Sequence, residues 1–160
     1  MTEIHTIDHT NGRPSDLHVG VVVAGWNRSI TDRLLDGALN RLSSLSVGEV
    51  TVLRVPGSLE LPVGARALAR RGCDAVVALG VIVKGDTDHY SIVSTESSRG
   101  LTLVAHEEGI PVANGILAVH DISLALDRAQ SGPSNKGDEA ANAAVETALA
   151  IAGLKERTST

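Results

Sequence analysis

The chain has 160 residues, a formal net charge of −5, 42% hydrophobic residues, 21% charged residues and one cysteine. That length supports one domain with a real core, and the acidic balance excludes a general affinity for nucleic acid. No apolar run is long enough to span a membrane, and a lone Cys73 excludes an intramolecular disulfide and fits a reducing cytoplasm.

Residues 1–15 hold Gly12, Pro14 and scattered polar groups, without a signal-peptide core, and read as a flexible tail before a single domain over 16–160. His18 to Gly25, HVGVVVAG, is continuously apolar, the pattern of a strand buried on both faces. Ile30, Leu34, Ala38 and Leu42 recur at helical spacing, with Ser29 as candidate N-cap. Val50 to Val55 predicts a second strand, ended by Pro56-Gly57. Pro62 suits the first turn of a helix carrying Leu61, Ala65 and Leu68, which Arg70, Arg71 and Gly72 close. Ala75 to Val83 predicts a third buried strand. A helix from about Ile92 to Glu108 follows and stops at Gly109. Pro111 to Val119 predicts a fourth strand, and Ile122, Leu126 and Ala129 mark another helix. That helix breaks at Ser131-Gly132-Pro133-Ser134. A last helix carries Ala141, Val145, Ala148 and Ala152 on one face. This alternation predicts an α/β fold: three αβα layers around a four-stranded parallel, doubly wound, flavodoxin-like sheet. Ligands of such sheets bind at the carboxyl ends of the strands.

The segments just after the strands are therefore the places to look for chemistry. In GVIVKGDTDHY (80–90), Gly85 permits a tight turn, Thr87 offers a hydroxyl beside turn amides that can cradle an anion, and the His89 imidazole can move protons near neutral pH. The plainer alternative is a solvated turn, Asp86 to Asp88, with His89 capping a helix. Asp86, Asp88 and His89 have no second His or Cys at ligand spacing, so no metal is expected. Trp26 and Tyr90 are the only aromatics. Trp26 follows the first strand, where its ring either stacks on a flat heterocycle or plugs the gap between helix and sheet. Arg128 and Lys136 flank the helix break. A guanidinium suits phosphate, although Arg128 also suits a helix C-terminus; Lys136, a cation at a helix N-terminus, lacks that explanation. Glu60 reads as an ordinary first-turn acid. Cys73 has no nearby His or Lys in sequence and no claim to be a nucleophile. No GxGxxG or Walker loop is present, which argues against dinucleotide or ATP binding.

Trp26-Asn27, VPGSLELP (55–62), GVIVKGDTDHY (80–90) and Arg128-Ala129 with Lys136-Gly137 stand in order, each beyond a strand. Together they resemble the lumazine synthase family from about His18 to Ala152; Trp26 and Pro111-Val112-Ala113-Asn114-Gly115 are similar to actinobacterial members. The resemblance implies a cofactor-free transferase of riboflavin biosynthesis. It condenses 5-amino-6-(D-ribitylamino)uracil with 3,4-dihydroxy-2-butanone 4-phosphate to 6,7-dimethyl-8-ribityllumazine, phosphate and water. By the same resemblance Trp26 would stack on the pyrimidine, Ser58, Leu59 and Glu60 would hold its ribityl chain, and Val81, Ile82 and Val83 would meet its edge through main-chain groups. Asp86 and Thr87 would border the phosphate, and His89 would transfer protons. Asn114 would face the pyrimidine and Arg128 the phosphate from a neighbouring subunit, with Lys136 close by. Two departures stand out: Lys84 replaces the commoner Arg, and Asp86 puts an acid near the expected phosphate.

The resemblance also implies a cytoplasmic homo-oligomer, a pentamer, with the sixty-subunit shells of some members left open. Small residues on the last helix, Ala140, Ala143, Ala144 and Ala148, are expected to be exposed for a neighbour. Two rivals remain: an archaeal-type riboflavin synthase on the same scaffold, and a non-catalytic paralogue that binds flavin or lumazine or only builds shells.

Overall fold

A computed structural model describes residues 1–156. Its regular elements, in chain order, are β1 (His18–Ala24), α1 (Arg28–Ser44), β2 (Glu49–Val55), α2 (Leu61–Arg70), β3 (Ala75–Val83), α3 (His89–Glu108), β4 (Val112–Val119), α4 (Ile122–Arg128) and α5 (Lys136–Glu156). The four strands run parallel in the order β2-β1-β3-β4. This is the α/β three-layer arrangement that the alternating pattern predicts.

Alternation of side chains across the pleat explains the continuous apolar runs. Val19, Val21 and Val23 of β1 and Val77 and Leu79 of β3 face one core, with Ile30 and Leu34 of α1 and Ala141 and Val145 of α5. Val22, Ala24, Val76 and Ala78 face the other, with Leu61, Ala65 and Leu68 of α2 and Leu101 and Val104 of α3. Each of the valine, leucine and isoleucine side chains among them contributes roughly 1.5–3 kcal/mol by leaving water. Edge strand β2 is less covered, and its Val50 and Val52 remain exposed.

Three expectations need correction. First, α1 is capped at Asn27, not Ser29, which lies inside the helix. Second, α3 starts at His89, a turn ahead of Ile92. Third, Ala140, Ala144 and Ala148 are buried within their own chain, and only Ala143 of that set is exposed. The small residues serve close packing inside the subunit: a Cβ at Gly115 of β4 would stand 3.3 Å from that of Ala140. Asn135 fixes the start of α5. Its Nδ2 donates to the carbonyls of Arg33 (3.2 Å) and Ala129 (3.1 Å), and its Oδ1 accepts from the amides of Gly137 (2.8 Å) and Asp138 (3.2 Å).

Residues 9–11 and 14–16 form short 3-10 turns. This N-terminal stretch lies along α5. Gly153 faces Asn11 and Ile7, and Gly12 faces Leu149. Among the described residues, no helix is long and apolar enough to cross a membrane.

Candidate active site

The chain steps outward from β1 to β2, then returns past β1 to place β3, so the winding reverses between β1 and β3. The crevice at such a switch point is where open parallel sheets bind ligands. Here β1 ends first: its last pair with β3 is Val23 with Leu79, while β3 runs on beside β4 as far as Val83. A notch opens over the end of β1, with Val81, Ile82 and Val83 as one wall.

The opposite wall is built from the turns after β1 and β2. The Gly25 amide donates to Val55 O at 2.7 Å and the Trp26 amide to Pro56 O at 3.0 Å, which ties the two strand ends together. Trp26 is 66% exposed. Its ring lies over Gly57, where a Cβ would stand 2.5 Å from Cε3 and Cζ3. Glycine at 57 is thus required by a close approach rather than by backbone angle. The plug reading of Trp26 fails on this exposure, since a plug would be covered on all sides. Glu60 folds back, and its Oε2 accepts from the Gly57 amide at 2.9 Å. Ser58 is buried, and its Oγ occupies the space that a side chain at Gly80 would fill.

His89 opens α3, and its amide donates to Thr87 Oγ1 at 3.3 Å. The residue is exposed, and among the described residues its ring makes no hydrogen bond. Trp26, Asn27, Ser58, Leu59, Glu60, Val81, Ile82, Val83 and His89 line a single cavity of about 240 Å³. The cavity combines an exposed ring, a strand edge with main-chain groups, one carboxylate and one imidazole. That set can hold a planar, polar-edged heterocycle and move a proton.

The remaining candidates lie elsewhere. Asp86 and Thr87 are exposed in the turn before α3 and do not line that cavity. Arg128 and Lys136 line a second cavity, of about 460 Å³, beside β4 with His120, Leu124, Ser134 and Glu139. Arg128 Nη1 donates to Leu124 O at 3.3 Å. Lys136 Nζ donates to Glu139 Oε1 at 2.9 Å, a contact that offsets the cost of a cation at a helix start. Asn114 lines neither cavity: its Nδ2 donates to Ser98 Oγ (3.0 Å), and its Oδ1 accepts from the Ile116 amide (2.9 Å). Sequence reasoning named Asn27 in the Trp26-Asn27 motif but gave it no role, and it passed over Val93 in the first cavity and His120 and Glu139 in the second. Val93 carried no signal beyond its helix face.

Cys73 gains a histidine neighbour from a distant part of the chain. The fold brings the His18 ring within 3.6 Å of its Sγ, but at the amino end of the sheet. Burial, reinforced by the Asp74 carboxylate, pushes the thiol above its ordinary range. A thiol so held is a poor nucleophile.

Comparison with known proteins agrees with the geometry. The sequence profile of the family described as 6,7-dimethyl-8-ribityllumazine synthase matches residues 16–152. A protein of that name from Streptomyces avermitilis is 46% identical over 143 residues, covering 88% of this chain and 89% of its own. Its namesake from Kineococcus radiotolerans is 46% identical over 142 residues, covering 88% of each chain. The one from Kocuria rhizophila is 46% identical over 148 residues, covering 91% of this chain and 94% of its own. The strand-end motifs, the sheet order and this coverage agree: the chain belongs to the 6,7-dimethyl-8-ribityllumazine synthase family.

Proposed function

We propose that the chain is the transferase that joins 5-amino-6-(D-ribitylamino)uracil to 3,4-dihydroxy-2-butanone 4-phosphate, giving 6,7-dimethyl-8-ribityllumazine, phosphate and water in riboflavin biosynthesis. The observation that carries this reading is the gathering of Trp26, Glu60, the β3 rim and His89 around one notch. Trp26 stacks on the pyrimidine. Ser58, Leu59 and Glu60 bind the ribityl chain; Glu60 keeps one carboxylate oxygen for a hydroxyl, since only Oε2 is committed to Gly57. Main-chain groups of Val81, Ile82 and Val83 meet the ring edge. Asp86 and Thr87 border the phosphate through the turn. His89 transfers protons during imine formation, phosphate loss and ring closure. These steps move protons rather than electrons, so no metal or organic cofactor is needed, and positioning the two substrates supplies much of the rate.

The site is shared between subunits of a cytoplasmic homo-oligomer, a pentamer. Three features support sharing. The notch is smaller than the roughly 300–1,000 Å³ of ligand pockets, as expected when one wall is absent. Arg128 and Lys136 line a different cavity of the same chain. Ile122, Leu124 and Leu126 of α4 are exposed beside them and suit a subunit contact. The neighbour's Asn114, Arg128 and Lys136 then close the notch and grip the phosphate.

The test is turnover of the purified chain with both substrates, followed by co-refolding of His89→Ala with Arg128→Ala. A shared site regenerates activity above the sum of the two variants. Mixed rings with no gain would place each site within one chain. Absence of wild-type turnover would favour a non-catalytic binder.

A further inference from the structure

Asn27 occupies an unusual position. It has left-handed backbone angles, φ 57 and ψ 44, and its side chain makes no capping bond to α1 although it stands at the N-cap. An asparagine there ordinarily turns its oxygen toward the first helical amides. Here the carboxamide turns away from the helix, and Nδ2 donates to Val81 O at 3.3 Å. That carbonyl lies two residues past Leu79, the last β3 partner of β1. Asn27 thus stands in for the next residue of β1 and satisfies a carbonyl that the sheet leaves open. The orientation of the amide is settled by its partner, because a carbonyl accepts only from the nitrogen.

The same contact spans the notch. Asn27 follows Trp26 directly, and Val81 belongs to the facing wall. The Lys84 amide donates to Val119 O of β4 at 2.9 Å. Peptide groups alternate along a strand, so the Val83 amide and carbonyl point the other way, with the Val81 carbonyl, toward the notch. This hydrogen bond therefore ties the residue next to Trp26 to the polar rim of β3.

We infer that Asn27 is a positioning residue: its left-handed backbone and its bond to Val81 O fix the width of the slot that receives the pyrimidine. A non-glycine residue held in this region is the kind of local strain found at ligand clamps. This inference rests on the proposed reaction, and its test separates the two. Asn27→Gly keeps the backbone angles accessible and deletes the latch; Asn27→Asp keeps the shape but sets an acceptor against the Val81 carbonyl. Both variants are expected to raise KM for the pyrimidine substrate by roughly tenfold, the worth of one hydrogen bond. KM for the butanone phosphate should stay within about twofold, since that substrate is gripped elsewhere. The steady-state fluorescence anisotropy of Trp26, the only tryptophan, should fall in both variants without any ligand. A general loss of structure would instead change both KM values together with the melting temperature. Unchanged pyrimidine KM and unchanged anisotropy would overturn the latch. Lowered anisotropy in variants of a wild type that does not turn over would sink the reaction and leave the latch standing.

Discussion

The two ends of the sheet each gather a histidine, a carboxylate and a hydroxyl, but they use them differently. At the amino end, His18 Nε2 lies 2.8 Å from Thr51 Oγ1 and 3.6 Å from both Cys73 Sγ and Glu49 Oε1. The His18 amide donates to Asp74 Oδ2 at 2.8 Å, and the Asp74 amide returns a bond to His18 O at 2.7 Å. Most polar groups there are committed to one another. At the carboxyl end, the His89 ring is open, Glu60 retains an uncommitted oxygen, and Trp26 is 66% exposed. The same side-chain types make a structural closure at one end and a receptive surface at the other. What separates them is whether the chain supplies its own partners.

The largest expected difference is in turnover. His89→Ala should lower kcat by roughly 10², the lower range for acid–base terms, with substrate binding and the urea midpoint unchanged. His18→Ala should do the reverse: wild-type kcat, with about 1 kcal/mol lost in urea unfolding, because Thr51 and Cys73 lose their shared partner. An equal loss of kcat in both variants would break the comparison. A second difference concerns Trp26. Titration with 6,7-dimethyl-8-ribityllumazine should quench its emission strongly, whereas an unmoved spectrum at saturating ligand would take the ring out of the site.

Smaller effects follow from titration. The Cys73 thiol is raised, so the fold favours its neutral form. Its contribution to stability is complete below the ordinary thiol range and is lost as pH rises through the folded value. Alkylation by iodoacetamide at pH 8 should accordingly be slow in the folded protein and fast in urea. Glu108 is expected to show the smallest effect. Desolvation raises its carboxyl, but hydrogen bonds from Arg66 and Arg70 outweigh this and hold it below the usual range. Its contribution is present above the ordinary carboxylate range and fades as pH falls through the folded value. Arg70→Ala should shift the Glu108 carboxyl resonance in an NMR titration to higher pH; an unmoved midpoint would mean that the bond from Arg70 is negligible in solution.

Much of this protein was written in local pattern. The apolar runs of β1 and β3, the Pro62 start of α2 and the Gly109 stop of α3 follow from side-chain chemistry and backbone preference within a few residues. Strand-end placement then marked Trp26 and His89, because a parallel sheet presents its carboxyl ends to ligands whatever its sequence, while Glu60 stood out only through the family motif. The tertiary structure decided the rest. It chose Asn27 over Ser29 as the cap, since the Val81 carbonyl that engages Asn27 lies 54 positions away in the chain. It buried Ala140, Ala144 and Ala148 within their own subunit, because a helix of small residues reads the same whether a neighbour or its own subunit covers it. It set His18 beside Cys73 and parted Arg128 from His89. Spacing along the chain could announce none of these, because each depends on which strand lies next to which, and strand order arises only when the two cores close on both faces of the sheet.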